Sequence, residues 1–253
     1  RRQKDIDRIM FRLREELHGN LGNMANPALY QNARSGTKKL INQYLDEVSA
    51  ALDFICDSQY KSLPPMRKRR FLKREARSFG RSALLLSGGA SLGLFHLGVI
   101  DELEQQGIMP RVITGSSAGA VIAGIVATHT NEELQELLEP DRVNFEWCRM
   151  FGITDIIRGE GILDQKLLKK SIERNIPAMT FLEAYQHTSR ILNITVSPAD
   201  SHQFPRVLNY LTAPNVLIQR AALASAAIPG LFPPVQLRAK NFAGKSVAYM
   251  PNS

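Results

Sequence analysis

The sequence contains few cysteines. Cys56 and Cys148 are the two among 253 residues, too few and too far apart in the chain for a disulfide framework or a cysteine metal site. We therefore expect reduced thiols, buried as small apolar side chains, in a cytoplasmic protein. No bound metal is expected either.

Charged residues are missing from two long stretches. Residues 82–100 and 112–128 contain no Asp, Glu, Lys or Arg. Runs of this length are typical of membrane-spanning helices. Here, however, glycines and serines interrupt each run, which favours a buried strand, a turn and a buried helix. We therefore expect neither run to cross a membrane.

Acidic residues are scarce in the first third of the chain. Up to Arg81 there are 18 Lys and Arg against 9 Asp and Glu, whereas residues 82–253 hold 14 against 15. Apolar residues recur every three or four positions from residue 1 to about residue 60, which predicts amphipathic helices. We expect residues 1–80 to form a helical extension with a basic connecting helix, and residues 81–253 to form an α/β domain.

The basic residues are most concentrated in the segment Arg67–Arg81, which follows a pair of prolines suited to a helix start. One interpretation is peripheral contact with an anionic membrane or lipid surface, since each basic residue near such a surface contributes about 1 kcal/mol. The alternative is a solvent-exposed connecting helix docked on the core. No nucleic-acid-reading motif accompanies the charge, so no nucleic acid partner is expected.

Strands and helices alternate beyond residue 81. Apolar runs predict strands at 82–87, 110–114, 190–197 and 235–239, and helices near 94–106, 118–128 and 217–227. This alternation predicts an α/β fold, with a largely parallel sheet flanked by helices and preceded by the small helical appendage.

Two glycine-rich turns directly follow the first two predicted strands. One begins Ser87-Gly88-Gly89-Ala90, and the other is the run from Gly115 to Gly119. The second turn has the G-x-S-x-G pattern of a sharp strand-to-helix elbow, with Ser117 as its central serine. Because neighbouring parallel strands end at the same edge of a sheet, we expect both turns in one crevice.

Together the two turns suit acyl transfer. A serine hydroxyl attacks an ester carbonyl once a base accepts its proton, and the oxyanion that forms needs preorganised N–H donors. We predict that the backbone N–H groups of Gly88, Gly89 and Ala90 form such an oxyanion hole. Gly93 is not followed by Lys and Ser or Thr, which excludes a Walker loop, and the glycine spacing does not match a dinucleotide site. No cofactor is expected.

These residues resemble the patatin-like acyl hydrolases, and more narrowly the triacylglycerol-lipase-like branch with a helical N-terminal extension. The similarity runs through most of the chain. Its most specific parts are Ala83–Gly98, Ile113–Gly119 and Ala224–Pro234.

The resemblance implies a serine–aspartate dyad rather than a triad. Ser117 would be the nucleophile, and the N–H groups of residues 88–90 would form the oxyanion hole. Gly93, Gly115 and Gly119 belong to the matching motifs.

The sequence departs from the family pattern in two places. Ala90 and Leu92 stand where patatins often have a third glycine and a basic residue, a variation that favours the lipase-like branch. The family's base is an aspartate in an Asp-Gly pair, and the sequence contains no such pair. We expect that aspartate to follow Ser253 in a longer protein, so that the α/β domain is truncated at its C-terminus.

Other candidate bases are present in the chain. Asp155, Asp164 and Asp200 fit turns or helix caps better than a catalytic role. An α/β-hydrolase would use a histidine, either His187 or His202. That fold, however, places several strands before the strand that ends in its elbow, and here one is predicted before that strand.

We therefore expect a carboxylic ester hydrolase whose substrate is a lipid ester, either a triacylglycerol lipase or a phospholipase, that works through an acyl-enzyme intermediate. Two alternatives stay open. One is a membrane-docking, lipid-binding module with an incomplete hydrolase site, and the other is an acyltransferase that uses the same serine.

Overall fold

The computed structural model describes residues 3–32, 38–139, 165–198, 204–228 and 232–249. The chain divides into two compact units, Arg1–Arg81 and Ser82–Ser253. Each unit has an apolar core of its own. Within the described ranges, no helix combines the length and the apolar character needed to cross a membrane.

The first unit is helical. Its helices are α1 (Gln3–Glu16), α2 (Lys39–Asp57) and α3 (Pro65–Phe79), and two short 3-10 turns lie between α1 and α2, at Leu21–Asn23 and Pro27–Leu29. The buried residues of α1 recur at three- and four-residue spacing, so they face one side and can pack on the other helices. The core of this unit comprises Ile6, Met10, Leu13, Leu17, Leu21, Ile55, Leu63 and Phe71. The predicted helical appendage is confirmed.

The state of one thiol differs from the expectation. Cys56 is free, as predicted, but it is exposed near the end of α2 rather than buried. The apolar face of α2 presents Ile55 to the core instead, and the next residue on a helix points about 100° away from it. Cys148 lies outside the described residues.

The described residues of the second unit include a four-stranded sheet. Its strands lie in the order β1 (Ala83–Leu86), β2 (Val112–Gly115), β3 (Ile191–Val196) and β4 (Arg206–Leu208). The first three strands are parallel, and β4 runs antiparallel to β3. The predicted α/β fold with a largely parallel sheet is confirmed.

Two further strands form a separate hairpin, β5 (Arg238–Lys240) with β6 (Ser246–Ala248). Neither β4 nor β6 was predicted. Both have three residues, which is too short for the alternation of apolar and polar side chains that marks a strand in a sequence. β5 is equally short, but it overlaps the end of the strand predicted at 235–239.

Six helices accompany the sheet in the part of this unit that the structure describes. They are α4 (Phe95–Gln105), α5 (Ala118–Thr128), α6 (Asn131–Leu138), α7 (Gln165–Asn175), α8 (Phe181–Thr188) and α9 (Ile218–Ala226). Every residue of α5 is buried, and α5 contacts β1, β2, β3 and α9. Its side chains are small or aliphatic, so the helix can approach the sheet closely. The start of α5 therefore has a fixed position relative to the strand ends.

Candidate active site

The two predicted turns lie against each other. β1 and β2 pair in parallel with Leu86 opposite Gly115, so the turns begin side by side at the carboxyl edge of the sheet. The Ser116 N–H donates to the Leu86 carbonyl over 3.1 Å and ties the second turn to β1. A β-carbon placed on Gly88 would lie 3.1 Å from Cβ and 3.6 Å from Oγ of Ser117. The structure thus brings the serine hydroxyl up to the first turn.

Ser117 forms the elbow between β2 and α5. Its backbone dihedral angles, φ 54° and ψ −123°, lie in a region that residues other than glycine rarely adopt. Such strain persists where the surrounding structure imposes it, and it is common at functional sites. Ser117 occupies the N-cap position of α5, yet its hydroxyl makes no capping hydrogen bond. The hydroxyl is therefore not used for the structural role that serine usually has there.

Gly115 and Gly119 permit the close approach of strand and helix at this elbow. A β-carbon on Gly115 would lie 2.4 Å from the carbonyl oxygen of Gly119. One on Gly119 would lie 2.1 Å from the carbonyl oxygen of Leu86. Both distances are well inside van der Waals contact, so neither position accepts a side chain unless the backbone moves. The two motif glycines therefore have a steric role in the elbow.

The first turn presents unused donors. In the described part of the chain, no hydrogen bond has the backbone N–H of Gly88, Gly89 or Ala90 as its donor. These residues lead into the 3-10 turn Ala90–Leu94, which continues into α4. N–H groups at the start of a helical segment carry partial positive charge. Donors of this kind beside a serine hydroxyl are what a developing oxyanion requires.

Two more residues shape the first turn. Gly93 packs on the elbow helix, since a β-carbon there would lie 2.7 Å from Cβ of Ala118. Ala90 has φ 49°, a left-handed conformation that costs alanine about 1 to 2 kcal/mol. The backbone thus keeps a conformation suited to glycine although the residue is alanine.

Two residues beside the turns were not predicted as part of the site. The Nε2 atom of His96 lies 2.9 Å from the carbonyl oxygen of Ser87, the first residue of the first turn. Ser225 in α9 accepts a hydrogen bond from the N–H of Ser117 through its Oγ, over 2.9 Å. Ser225 lies in Ala224–Pro234, one of the segments that resemble the family. Its contact with Ser117 could not be predicted from the sequence, because the two residues are 108 positions apart.

His187 lies elsewhere in the unit. Its Nε2 is 3.0 Å from the Glu133 carboxylate, and the hydroxyl of Thr188 donates to the carbonyl of Ala127, near the C-terminal end of α5. Ser117 is at the opposite end of that 11-residue helix, about 16 Å away along its axis. This geometry excludes a serine–histidine pair of the α/β-hydrolase kind between Ser117 and His187.

The remaining candidate bases, Asp155, Asp164, Asp200 and His202, lie outside the described residues. Every aspartate in the described ranges precedes Ser117 in the chain. Those ranges also contain no cluster of three His, Cys, Asp or Glu side chains that could hold a metal ion. The aspartate of the implied dyad is therefore assigned to none of the described residues.

Comparison with known families gives two matches. Residues 84–249 match the family described as patatin-like phospholipase, and residues 1–77 match a domain of unknown function, DUF3336. The first match contains both turns, β1 from its second residue, β2 to β6 and helices α4 to α9.

Similar whole proteins are longer than this chain. A triacylglycerol lipase of Arabidopsis thaliana, SDP1L, is 39% identical over 99% of this chain and 32% of its own length. Triacylglycerol lipase 4 of Saccharomyces cerevisiae is 38% identical over 95% of this chain and 28% of its own length. The chain thus spans about a third of the length of the curated relatives it matches.

One solved structure gives a weaker likeness. The type III effector protein ExoU covers 60% of this chain, and 41% of that protein is matched, with 20% identity and a TM-score of 0.37. The fold described above rests on the strand order and pairing of the chain itself.

Proposed function

The chain belongs to the patatin-like phospholipase family, and on this premise we propose that it is a serine lipid acyl hydrolase with Ser117 as its nucleophile. The observation that carries the proposal is the position of the Ser117 hydroxyl. The hydroxyl lies beside Gly88. Gly88 belongs to the first turn, whose backbone N–H groups donate no hydrogen bond within the described residues. A nucleophile and oxyanion donors are thus available to one carbonyl group.

The proposed reaction proceeds through an acyl-enzyme. The Oγ of Ser117 attacks the ester carbonyl carbon while its proton passes to an aspartate base, the partner implied by the family dyad. The tetrahedral oxyanion is stabilised by the N–H groups of Gly88, Gly89 and Ala90, each of which contributes on the order of 3 kcal/mol. The alcohol leaves with the proton, and water then releases the fatty acid from the serine.

For the substrate we propose a lipid ester. The relatives at 38 and 39% identity are named triacylglycerol lipases, whereas the matching family is named for phospholipases. Identity that extends over 95 to 99% of this chain is the more specific of these indications, so triacylglycerol is favoured over phospholipid.

The assignment of Ser117 can be tested by covalent labelling with a fluorophosphonate probe, followed by peptide mapping. Ser117→Ala should abolish both the label and lipase activity. Ser116→Ala is the matched control. Ser116 is the neighbouring serine and is exposed, and the side-chain atoms that approach Gly88 belong to Ser117. A label at another residue, or equal labelling in Ser117→Ala, would overturn the proposal.

Helix α3 supports a second proposal, a peripheral contact with an anionic lipid surface by a cytoplasmic protein. Phe71 and Glu75 face the core of the first unit. Arg67 binds the Asp7 carboxylate over 3.0 Å, and Lys68 donates to the Cys56 carbonyl over 2.8 Å. The other basic side chains of α3 are exposed and fall within about 140° of the helix circumference. They are Arg69, Arg70, Lys73, Arg74 and Arg77.

Vesicle sedimentation can test this contact. Changing Arg69, Arg70, Lys73 and Arg74 to Gln should weaken binding to phosphatidylserine-containing vesicles about 1,000-fold, because four charges at about 1 kcal/mol each contribute about 4 kcal/mol. A matched control removes four charges from α7 instead, at Lys166, Lys169, Lys170 and Arg174. Equal loss in both variants, or no loss in the α3 variant, would contradict a contact through α3.

A further inference from the structure

The N–H group of Ser117 is held by a side chain from a distant part of the chain. Its acceptor is the Oγ of Ser225, 2.9 Å away, in the last turn of α9. This hydrogen bond links the elbow at Ser117 to Ala224–Pro234, the third of the segments that resemble the family. The function proposed above assigns no role to Ser225.

The backbone provides no substitute for this hydrogen bond. β2 ends at Gly115 and α5 begins at Ala118, so the N–H of Ser117 is not a donor in the backbone hydrogen-bonding pattern of either element. N–H groups at the start of a helix have no acceptor within the helix. In the described part of the chain, the Ser225 hydroxyl is the acceptor that holds the peptide plane preceding Ser117. A rotation of that plane would change φ of Ser117, which is already at the strained value of 54°, and would move Oγ.

Helix α9 is firmly anchored, so it can hold the elbow in place. Ala221, Ala222 and Ala226 are buried, and α9 packs along α5. At the other end of α9, the side chain of Gln219 donates to the Ile176 carbonyl over 2.6 Å. Ser225 therefore projects from a rigid support, as a group that sets the geometry of a catalytic atom should.

From these contacts we infer that Ser225 is a positioning residue: its hydroxyl holds the Ser117 backbone in the conformation that directs Oγ at the substrate carbonyl. The inference deepens the proposed function and rests on it. It also implies that the N–H of Ser117 is occupied and does not donate to the oxyanion. The nucleophile's own N–H does donate in chymotrypsin-type serine proteases. Here the oxyanion donors would come from the Gly88–Ala90 turn.

The test compares Ser225→Ala with Ser225→Thr, which retains a hydroxyl, and with Gln219→Ala as a control on the same helix. Fluorophosphonate labelling of Ser117 measures the reactivity of the nucleophile. Amide hydrogen exchange at Ser117 measures the hydrogen bond itself. Ester hydrolysis separates kcat from KM.

Ser225→Ala should expose the Ser117 amide to exchange and lower both the labelling rate and kcat about 10- to 100-fold, since a small misplacement of a catalytic group is that costly. KM should stay within about twofold, because substrate contacts are unchanged. Ser225→Thr should recover most of the lost rate. Gln219→Ala should leave the Ser117 amide protected and the labelling rate close to that of the wild type.

Each contrary result has a distinct meaning. Full protection of the Ser117 amide in Ser225→Ala, or an unchanged labelling rate once that protection is lost, overturns the role of Ser225 while the proposed hydrolase function stands. Equal rate losses in Gln219→Ala and Ser225→Ala also overturn it, because a general weakening of α9 would then suffice. Absence of labelling at Ser117 in the wild type overturns the proposed function, and the role of Ser225 with it.

Discussion

The α-carbon of Gly119 faces the carbonyl oxygen of Leu86 so closely that a β-carbon there would lie 2.1 Å from the oxygen. Both atoms belong to the backbone, so a side-chain rotation cannot relieve the overlap. This contact fixes how near α5 can come to the end of β1, and with it the distance between the two turns.

Gly119→Ala should therefore destabilise the second unit by about 3 kcal/mol or more and abolish labelling of Ser117, because the elbow must move to admit a methyl group. Gly98→Ala is the matched control. Gly98 lies within α4, and a β-carbon there meets nothing within 4 Å. Its replacement should stabilise the protein by about 0.5 to 1 kcal/mol, since glycine is a poor helix former.

Urea unfolding followed by circular dichroism measures both changes. If Gly119→Ala unfolded at the same urea concentration as Gly98→Ala and Ser117 were still labelled, the strand and helix would not pack as closely at the elbow as described.

The positive φ of Ala90 leads to a second prediction. Ala90→Gly should leave stability within about 0.5 kcal/mol of the wild type, because relief of backbone strain is offset by the greater freedom of glycine in the unfolded chain. Ala90→Val should cost at least about 1 to 2 kcal/mol, since a β-branched side chain tolerates positive φ poorly. Thermal unfolding of the two variants side by side is the measurement. A valine variant as stable as the glycine variant would mean that residue 90 has an ordinary negative φ.

A buried ion pair supports α5 at the end opposite the elbow. The guanidinium of Arg190 binds the Glu104 carboxylate and also donates to the carbonyls of Val126 and His129. Arg190 and Glu104 are 5% and 7% exposed. Burial lowers the pKa of Arg190, and the Glu104 carboxylate opposes that shift.

Glu104→Gln should destabilise the protein by about 3 kcal/mol, because it leaves a buried positive charge without its counter-ion. Glu173→Gln is the control. Its carboxylate pairs with Lys169 over 3.7 Å at the surface, where such pairs contribute about 0.5 kcal/mol. Similar losses in the two variants, measured by urea unfolding, would show that the Arg190 pair is not buried.

The loss of folding stability at acid pH should arise partly from Glu183, which belongs to the capping box of α8. Burial pushes the pKa of this carboxyl upward, but hydrogen bonds from the Lys240 ammonium and the Thr180 N–H outweigh it, so the pKa lies below the ordinary value of 4.5. A carboxylate whose pKa is lowered by folding contributes stability above its unfolded pKa, and that stability is lost as the pH falls through the folded pKa.

Thermal midpoints should therefore fall as the pH drops below about 4.5, and they should fall less steeply in Glu183→Gln. Glutamine can still complete the capping box, so this variant should lose little helix stability at neutral pH. Glu102→Gln removes the same charge from α4 and serves as the control. Parallel pH profiles for the wild type and Glu183→Gln would rule out this contribution.

The sequence by itself determined the elements around the site. Charge-free apolar runs and glycine-rich turns predicted β1, α4, β2 and α5 to within about two residues, because these signals are local to each element. The G-x-S-x-G spelling singled out Ser117 for the same reason. The short strands β4 and β6 were missed because three residues carry no periodic signal.

Only the tertiary structure decided which groups meet at the elbow. The parallel register of Leu86 with Gly115 sets the Ser117 hydroxyl beside Gly88, and the packing of α9 on α5 brings Ser225 to the Ser117 N–H. These contacts join residues far apart in the chain, and spacing along a sequence contains no information on such pairs. They follow from the close packing of strands and helices in the folded unit, where a shift of one ångström would separate them.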